Sequence, residues 1–270
     1  MKKILVPTDY SQNAIDALHY ARAILEVTEG QLYIVNAYEK PYSSSSPIRS
    51  LRNRLKRNAE EKMQALKEKL RGKKSPVPFE TYVREDSPVD LVLDAAEHFS
   101  VDLILMGTKG TSGMEEVVLG STTSNVIAKS HTPVLAIPRG AAFSGFKRVT
   151  FATDLDTGSL AAAQRLIDLT APFNSVIDLL HVFAPGTEGL HEALAELDAQ
   201  LKKTDREVHN YLLANESVRD GLLEHMSQHP SEAIAMLTRR RTLLQKLFDP
   251  SLTKKVATHA ETPLLALHEY

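Results

Sequence analysis

The sequence predicts an α/β fold made of two tandem domains, each a doubly wound, five-stranded parallel sheet. Short apolar runs alternate with amphipathic segments, which is typical of parallel strands separated by helices on both faces of the sheet. The same series of segments then occurs a second time within the 270 residues. These two observations place one domain at residues 1–140 and the other at residues 147–270.

The two copies align with each other at two constant offsets in residue number. Residues 2–9 align with residues 147–154 at an offset of 145, and the second strand of each copy keeps that offset. Later the offset is 130, as in the alignment of Ser87 with Ser217. Because a single difference of 15 residues separates the two offsets, the copies differ in length only between their second and third strands.

The first half of copy one alternates between strand and helix. Residues 4–6 form a short buried strand, and Ser11 can then cap a helix with one apolar face. Residues 32–38 are predicted to form the second strand. Residues 48–70 carry apolar side chains at intervals of three and four, as in a long amphipathic helix. Residues 79–83 form the third strand.

The second half of copy one completes the sheet. The segment Ser87-Pro88-Val89-Asp90 favours a helix start, since serine caps the helix, proline suits its first position and an acid suits its first turn. Residues 102–106 and 134–137 form the fourth and fifth strands. Residues 139–146, with two glycines and a serine, are the expected linker between the copies.

Composition excludes several classes of protein. The formal net charge of -2 argues against nucleic acid as the main partner. The absence of cysteine excludes disulfides, thiolate metal sites and cysteine nucleophiles, and it suits the reducing cytoplasm. The apolar run at the N-terminus ends at Pro7, too early for a signal peptide, and no apolar stretch is long enough to span a bilayer. We therefore expect a cytoplasmic protein without a membrane partner.

A glycine-rich loop follows the fourth strand. Gly107 and Gly110 come first, and after nine intervening residues Gly120-Ser121 stands where the next helix begins. Glycine lets the backbone approach a ligand closely, and free N–H groups at a helix N-terminus attract anions. Ligands of open parallel sheets bind at this edge, beyond the carboxyl ends of the strands. The loop therefore predicts a phosphate site.

The loop carries a resemblance to a known family. The spacing Gly-x2-Gly-x9-Gly-Ser lies directly after an Ile-Leu-Met-Gly strand end and before Thr-Pro-Val-Leu-Ala-Ile-Pro. Together with the opening Ile-Leu-Val-Pro-Thr-Asp, it resembles the universal stress protein family. The resemblance covers residues 2–139 closely and residues 148–270 more weakly. It implies a Rossmann-like fold of the adenine nucleotide alpha hydrolase type.

The resemblance also implies a ligand, ATP, often bound with a divalent cation such as Mg²⁺ or Mn²⁺. The glycines and hydroxyls of the loop would contact ribose and phosphates, and the ends of the first two strands would surround adenine and ribose. The expected nucleotide-binding residues are Pro7, Thr8, Asp9, Ala37, Met106, Gly107, Gly110, Gly120, Ser121 and Thr122. Asp86 departs from the family, which usually has glycine there, but aspartate tolerates a left-handed backbone better than most residues.

The second copy lacks the glycines. At an offset of 130, Leu237, Arg240 and Pro250 replace the three glycines, and only Ser251 is retained. A leucine side chain would fill the space of a phosphate, and proline removes an N–H donor. We therefore expect a single nucleotide site per chain. The run Arg239-Arg240-Arg241 can be interpreted as an anion site or, preferably, as a solvated surface.

Two other features could indicate further ligands. His225 and His229 have the i, i+4 spacing of zinc ligands, but no third ligand is evident nearby and no metal site is assigned. Residues 49–74 hold eleven basic and three acidic residues, yet no aromatic residues interleave with them for base stacking. A solvated helix face is the preferred interpretation of this segment.

Three functions remain open at this point. The protein is a regulatory ATP-binding module, a slow ATPase or phosphotransferase, or a scaffold that binds no nucleotide. Catalysis would need a positioned base and a cationic clamp, for which Asp9 and Lys109 are the candidates. We expect a binding module rather than an enzyme.

The last strands of the two copies predict how the domains assemble. Residues 134–137 and 264–267 are both apolar and would be exposed edges in separate domains. Single-domain members of the family commonly pair this strand between subunits, so here the two copies can pair with each other as an internal pseudo-dimer. A linker of eight residues spans at most about 28 Å, which suits side-by-side domains. The resemblance also allows a homodimer of whole chains.

Overall fold

A computed structural model of the chain describes residues 1–39, 48–71, 77–110, 117–156, 158–186, 190–237 and 262–268. Helices and strands mostly alternate in these segments, and the strands run mostly parallel, as predicted. The bounds of the elements differ from the predicted bounds by only one or two residues in the first copy.

The described residues of the first copy form four helices and seven strands, two of which are very short. In chain order the elements are β1 Lys3–Pro7, α1 Gln12–Thr28, β2 Gln31–Tyr38, α2 Ile48–Arg71, β3 Phe79–Glu85, α3 Pro88–His98, β4 Leu103–Gly107, β5 Lys109–Gly110, β6 Val117–Val118, α4 Ser121–Lys129 and β7 Val134–Ile137.

The second copy follows the same order within its described residues. Its elements are β8 Arg148–Ala152, α5 Ser159–Thr170, β9 Val176–Phe183, α6 Leu190–Leu201, β10 Val208–Ala214, α7 Val218–Gln228, β11 Ala233–Leu237 and β12 Leu264–Leu267. Short 3-10 helices extend α5 over Ala171–Phe173 and α6 over Lys202–Thr204.

Serine side chains set the start of three helices. Ser11 accepts a hydrogen bond from the N–H of Ala14 at α1, and Ser87 does the same for Asp90 at α3. Ser217, the counterpart of Ser87, accepts from Asp220 at α7. Each contact satisfies one of the N–H groups that a helix N-terminus leaves unpaired.

Ten strands form one continuous sheet in the order β10-β9-β8-β11-β12-β7-β4-β1-β2-β3. In this sheet, every pairing between strands of the same copy is parallel. β5 and β6 form a separate antiparallel ribbon after β4. Both β1 and β8 lie inside their half-sheets. In the first copy β2 and β3 lie on one side of β1, and β4 and β7 lie on the other, so the order of the strands reverses between β1 and β4. In the second copy it reverses between β8 and β11.

The hydrophobic core forms two layers because alternate residues of each strand face opposite sides. Ile4 and Val6 of β1 belong to the layer packed against α1 and α2, whereas Leu5 belongs to the layer packed against α3 and α4. The central strands are buried on both sides, which accounts for their continuous apolar runs.

The two copies join through their last strands, as predicted. β7 and β12 are antiparallel, and Leu135 is directly opposite Leu265. The linker is packed rather than a bare spacer, since Phe143 and Phe146 form an aromatic cluster with Tyr20 and Phe173 at centroid distances between 5.1 and 6.4 Å. The linker therefore contributes to the contact between the domains.

Candidate functional site

The candidate site lies at the carboxyl ends of β4, β1 and β2, where the order of the strands reverses. A cavity of about 290 Å³ opens there between the start of α1, the start of α3 and the N-terminus of α4. In open α/β sheets this reversal point is the usual position of a ligand, because the two halves of the sheet leave a crevice between their loops.

Nine of the ten predicted site residues line this cavity. They are Pro7, Thr8, Asp9, Ala37, Met106, Gly107, Gly120, Ser121 and Thr122. Of Gly110 the structure describes only the backbone pairing, so its predicted place in the site stays a prediction. Gly110 pairs with Val117 in the short ribbon of β5 and β6, and Lys109 pairs with Val118 in the same ribbon.

The N-terminus of α4 is left without a side-chain cap. Gly120 is the N-cap residue and has no side chain to accept from the first turn, in contrast to the serines of α1 and α3. The first intrahelical bond is donated by the N–H of Ser124 to the carbonyl of Gly120 at 2.9 Å. Ser121 and Thr122 line the cavity, and the N–H groups of this first turn, which no side chain caps, can bind an anion.

Gly107 is required by helix packing. A Cβ atom there would lie 2.5 Å from the carbonyl oxygen of Asn13 in α1 and 2.9 Å from its Cβ. The close approach that the sequence assigned to a ligand is thus made by the backbone of α1. The carbonyl of Gly107 also accepts a hydrogen bond from Thr123 Oγ1 at 3.2 Å, which ties the start of α4 to the end of β4.

A tight turn after β1 arranges the polar residues at the mouth of the cavity. Thr8 Oγ1 accepts from the N–H of Tyr10 at 3.0 Å, and Asp9 Oδ1 accepts from the N–H of Ser11 at 2.9 Å. Tyr10 adopts a positive φ of 67° in this turn. Its hydroxyl donates to the carbonyl of Ala59, and burial raises the pKa of that hydroxyl to about 12. Asp9 itself stays exposed.

The far wall of the cavity is apolar. Val35 and Ala37 come from β2, Leu91 and Val92 from α3, and Met106 from β4. A slot of this kind suits a flat, weakly polar ring. The N-terminus of α4, where an anion can bind, is separated from β2 by β1.

Sequence analysis did not identify Asn13, Asn36 or Thr123 as site residues, yet all three line the cavity. Asn36 had a detectable signal, because it is a polar residue in an otherwise apolar strand and it aligns with His181. Thr123 and Asn13 had none, since their roles depend on contacts between separate elements.

The left-handed backbone suggested for Asp86 is wrong, because Asp86 is not among the residues with positive φ. Its carboxylate instead accepts from the N–H of Ser87 at 2.8 Å and contacts Arg84. Arg84 also donates to Asp94 of α3 at 2.7 Å. Asp86 thus helps to set the start of α3, whose first turn lines the cavity.

The second copy retains a smaller cavity at the equivalent place. It measures about 70 Å³ and is lined by Thr153 and Asp154, the counterparts of Thr8 and Asp9, and by Leu237, the counterpart of Gly107. Arg240, Pro250, Ser251 and the run Arg239–Arg241 lie outside the described residues. Leu237 thus lines the smaller cavity where Gly107 lines the larger one, and the degenerate loop of the second copy stays a prediction.

The histidine pair belongs to a buried polar cluster under α7. The His225 ring lies 4.9 Å from the His229 ring and 4.5 Å from Tyr211, and His225 Nε2 is 3.6 Å from Asp178 Oδ2. Burial by itself would raise the pKa of Asp178, but His225 and Arg148 outweigh it and lower that pKa. Within the described residues, no group of three histidine or acidic side chains is arranged to hold a metal ion.

No described helix is both long enough and apolar enough to cross a membrane.

Comparison with known proteins gives one consistent family. The sequence model described as "Universal stress protein family" matches residues 1–138 and, a second time, residues 145–268. A universal stress protein of Methanocaldococcus jannaschii is 30% identical over 158 residues, which cover 51% of this chain and 95% of that protein. One from Thermus aquaticus is 34% identical over 140 residues, covering 50% of this chain and 98% of that protein.

A solved structure matches both copies together. The crystal structure of a universal stress protein from Archaeoglobus fulgidus has a TM-score of 0.74 and 20% identity, with 98% of each chain covered. The two relatives named above each match about half of this chain, whereas this structure shares the whole tandem fold.

Proposed function

Because this chain belongs to the universal stress protein family, we propose that its first domain binds ATP and acts as a regulatory nucleotide-binding module in the stress response. The proposed domains span residues 1–140 and 147–270, and the nucleotide occupies the first alone. The observation that carries this proposal is the cavity of about 290 Å³, which has an uncapped helix N-terminus at one end and an apolar slot at the other.

This arrangement of the cavity suggests one orientation for the nucleotide. The phosphates would bind the N–H groups of the first turn of α4 and the hydroxyls of Ser121 and Thr122. The ribose would lie over the end of β1, within reach of the Asp9 carboxylate. The adenine would occupy the slot between Ala37 and Met106.

A divalent cation fits this proposal. Asp9 is the only charged side chain among the described residues that line the cavity, and its charge has the same sign as the phosphates. Mg²⁺ or Mn²⁺ bound mainly by phosphate oxygens and water, with Asp9 as a single protein ligand, would offset that repulsion. This is the coordination that Mg²⁺ commonly keeps in nucleotide sites.

The same lining argues for binding without rapid turnover. Phosphoryl transfer needs cationic groups that stabilise the charge developing on the transferred phosphate. The described lining residues include no lysine, arginine or histidine. We therefore infer a module whose bound state is read by another molecule, not a hydrolase.

Mass spectrometry of the nucleotide released from the purified, denatured protein tests the ligand. Calorimetric titration with ATP, with Mg²⁺ and again with a chelator, tests affinity and the role of the cation. We expect ATP to bind, and to bind more weakly after chelation. If no adenine nucleotide binds, the proposal is overturned. Multiple-turnover release of phosphate would show that the protein is an ATPase and not a binding module.

A further inference from the structure

A histidine of the second copy forms a hydrogen bond with a helix of the first. His268 directly follows β12, and its Nε2 lies 2.7 Å from the carbonyl oxygen of Ile127 in α4. A carbonyl oxygen can only accept, so Nε2 carries a hydrogen and donates it. The second copy thereby contacts the helix whose N-terminus forms the proposed phosphate end.

The carbonyl of Ile127 is one that α4 itself leaves unpaired. The helix ends at Lys129, and its C-cap residue Ser130 donates its N–H to the carbonyl of Val126. The last carbonyls of a helix have no partner within it, and no backbone N–H in the described part of the chain bonds to Ile127 from outside the helix. The ring of His268 supplies the missing donor.

The apolar packing beneath α4 is also shared between the copies. Ile127 is buried in the same cluster as Ala136 of β7 and Ala266 of β12. Thr123, near the other end of the helix, bonds to the carbonyl of Gly107 in the first copy. The first copy therefore holds the start of α4, and the second copy contributes to holding its end.

The first copy cannot make the same contact to the second. Pro138 aligns with His268 at the offset of 130, and proline has no side-chain donor. Of the two equivalent positions, the one with a donor thus serves the copy with the large cavity.

We infer that His268 is a positioning residue of the proposed nucleotide site, through which the second copy holds α4 in the position that binds the phosphates. This inference rests on the proposed ATP site. A helix that is fixed before binding does not have to be ordered by the ligand, and this smaller loss of entropy increases the affinity. The second copy would thus contribute to binding without contacting the nucleotide.

The contact depends on the charge of the ring. Burial lowers the pKa of His268, the bond to Ile127 raises it and the charge of His131 lowers it, and the net effect is a pKa below the ordinary value of 6.5. Lys129, the other charged residue at this end of α4, is exposed. Nδ1 is buried and has no partner among the described residues, so a proton there would have no acceptor. The contact is therefore complete above about pH 6.5 and weakens as the pH falls below that value.

Calorimetric titration of the full chain with ATP at about pH 7.5 tests the role of the donor, since the ring is neutral there. His268→Leu removes the donor and keeps an apolar side chain, and we expect its affinity to fall about fivefold, the order of one hydrogen bond. His268→Gln keeps a donor and should bind ATP like wild type. His131→Gln, which changes an exposed histidine beside the contact, is the matched control and should also bind like wild type.

The pH profile tests the charge of the ring. As the pH is lowered from about 7.5 to about 5, the affinity of wild type should fall relative to that of His268→Gln, because only wild type gains a proton at this position. The ratio of the two affinities cancels the titration of the nucleotide itself. Hydrogen exchange of the α4 amides without nucleotide should be faster in His268→Leu than in wild type or His268→Gln.

Two outcomes would overturn the inference while the proposed function stands. One is wild-type affinity for ATP in folded His268→Leu, and the other is exchange in α4 that is equal in His268→Leu and wild type. If wild type binds no adenine nucleotide, the proposed function fails and the positioning role fails with it. Should His268→Leu not fold, wild type and His268→Gln keep the test decisive, since a ratio of affinities that is constant with pH would overturn the inference.

Discussion

Differences in single residues between the two copies, at the ends of their strands, determine which copy keeps an open cavity. In the first copy Ala37 leaves the wall of the cavity open, and in the second copy Val182 stands at the same position. The branched side chain of Val182 is accommodated by Gly221 of α7, where an added Cβ would lie 2.6 Å from Val182 Cγ1. Leu237 replaces Gly107 in the same way, so the cavity shrinks from about 290 to about 70 Å³.

Replacing Gly120 with valine tests the proposed phosphate end. Gly120→Val should abolish ATP binding while the fold persists, because the new side chain fills the space in front of the first turn of α4. Calorimetric titration measures the affinity, and circular dichroism verifies the fold. Ser124→Val is the matched control, since Ser124 is exposed one turn later on the same helix and does not line the cavity. Affinity like that of wild type in folded Gly120→Val would refute the assignment.

Replacing Gly107 with alanine tests the packing of α1 on β4. The added Cβ would lie 2.5 Å from the carbonyl oxygen of Asn13, so helix and strand must move apart. We expect Gly107→Ala to lower the free energy of unfolding by about 1–3 kcal/mol, the usual cost of overpacking. Chemical denaturation measures this change. Unchanged stability together with lost ATP affinity would restore the original interpretation, in which the space serves the ligand alone.

Among the elements, α4 differs from α1 and α3 because no side chain caps the N–H groups of its first turn. The serines that cap α1 and α3 satisfy N–H groups within the chain, whereas the glycine cap of α4 leaves them for a ligand. Thr123 anchors the helix to β4 through the carbonyl of Gly107, so the uncapped end is held in place. For its position and its free donors, α4 is the element that we propose to bind the phosphates.

The last strand of each copy is the element that joins the domains. β7 and β12 pair over Val134–Ala136 and Leu264–Ala266, and their side chains are almost fully buried. In a separate domain each strand would expose a row of unpaired N–H and carbonyl groups. Pairing the two removes both edges at once.

A double substitution tests that junction. Leu135→Lys with Leu265→Lys should separate the halves, because two ammonium groups cannot be buried face to face without a large loss of hydration. The linker, residues 139–146, should then be cleaved faster in limited proteolysis. The double methionine variant at the same positions keeps the apolar contact and serves as the control. Equal protection of the linker in the lysine and methionine variants would contradict the role of the junction.

At the scale of the whole molecule, the ten-stranded sheet is a pseudo-dimer inside one chain. The single antiparallel pairing lies at its centre, and the two half-sheets extend from it in the same strand order. Because the copies are covalently joined, one of them could lose its glycines without losing its place in the fold. The molecule thus combines one large cavity with one reduced copy of the same domain.

This asymmetry predicts the stoichiometry. One chain should bind one ATP, because Leu237 and Val182 occupy the space that the nucleotide would need in the second copy. Equilibrium titration at concentrations well above the dissociation constant measures the number of sites. Gly120→Val should bring that number to zero, which separates the first site from the second. Two equivalent sites per wild-type chain would show that the second copy still binds nucleotide.

Most of the architecture was predictable because it follows from local signals. Strand runs such as residues 134–137, the Ser11 and Ser87 caps and the repeat at offsets of 145 and 130 each depend on residues close in sequence. The pairing of the last strands was also predictable, since two apolar edges in one chain have an obvious way to be covered.

The site was predictable only in part. Glycines after β4 indicate a phosphate loop, but sequence spacing does not distinguish Gly120, which lines the cavity, from Gly110, which lies in the ribbon. Asp86 does not adopt the left-handed backbone that the usual glycine at this position suggested. These differences arise because a side chain's direction depends on how the loop folds back over the sheet, and that is not a local property.

The sequence by itself determined the fold class, the duplication, the edge of the sheet where a ligand would bind and the copy that kept its glycines. Each of these is encoded by residue type and spacing, through hydrophobic period, capping and backbone freedom. Only the tertiary structure decided that Gly107 makes room for α1, that Asn36 donates to the carbonyl of Thr8 and that Val182 fits against Gly221. Each of those outcomes depends on atoms from elements distant in sequence, which become neighbours only when the sheet and its helices pack.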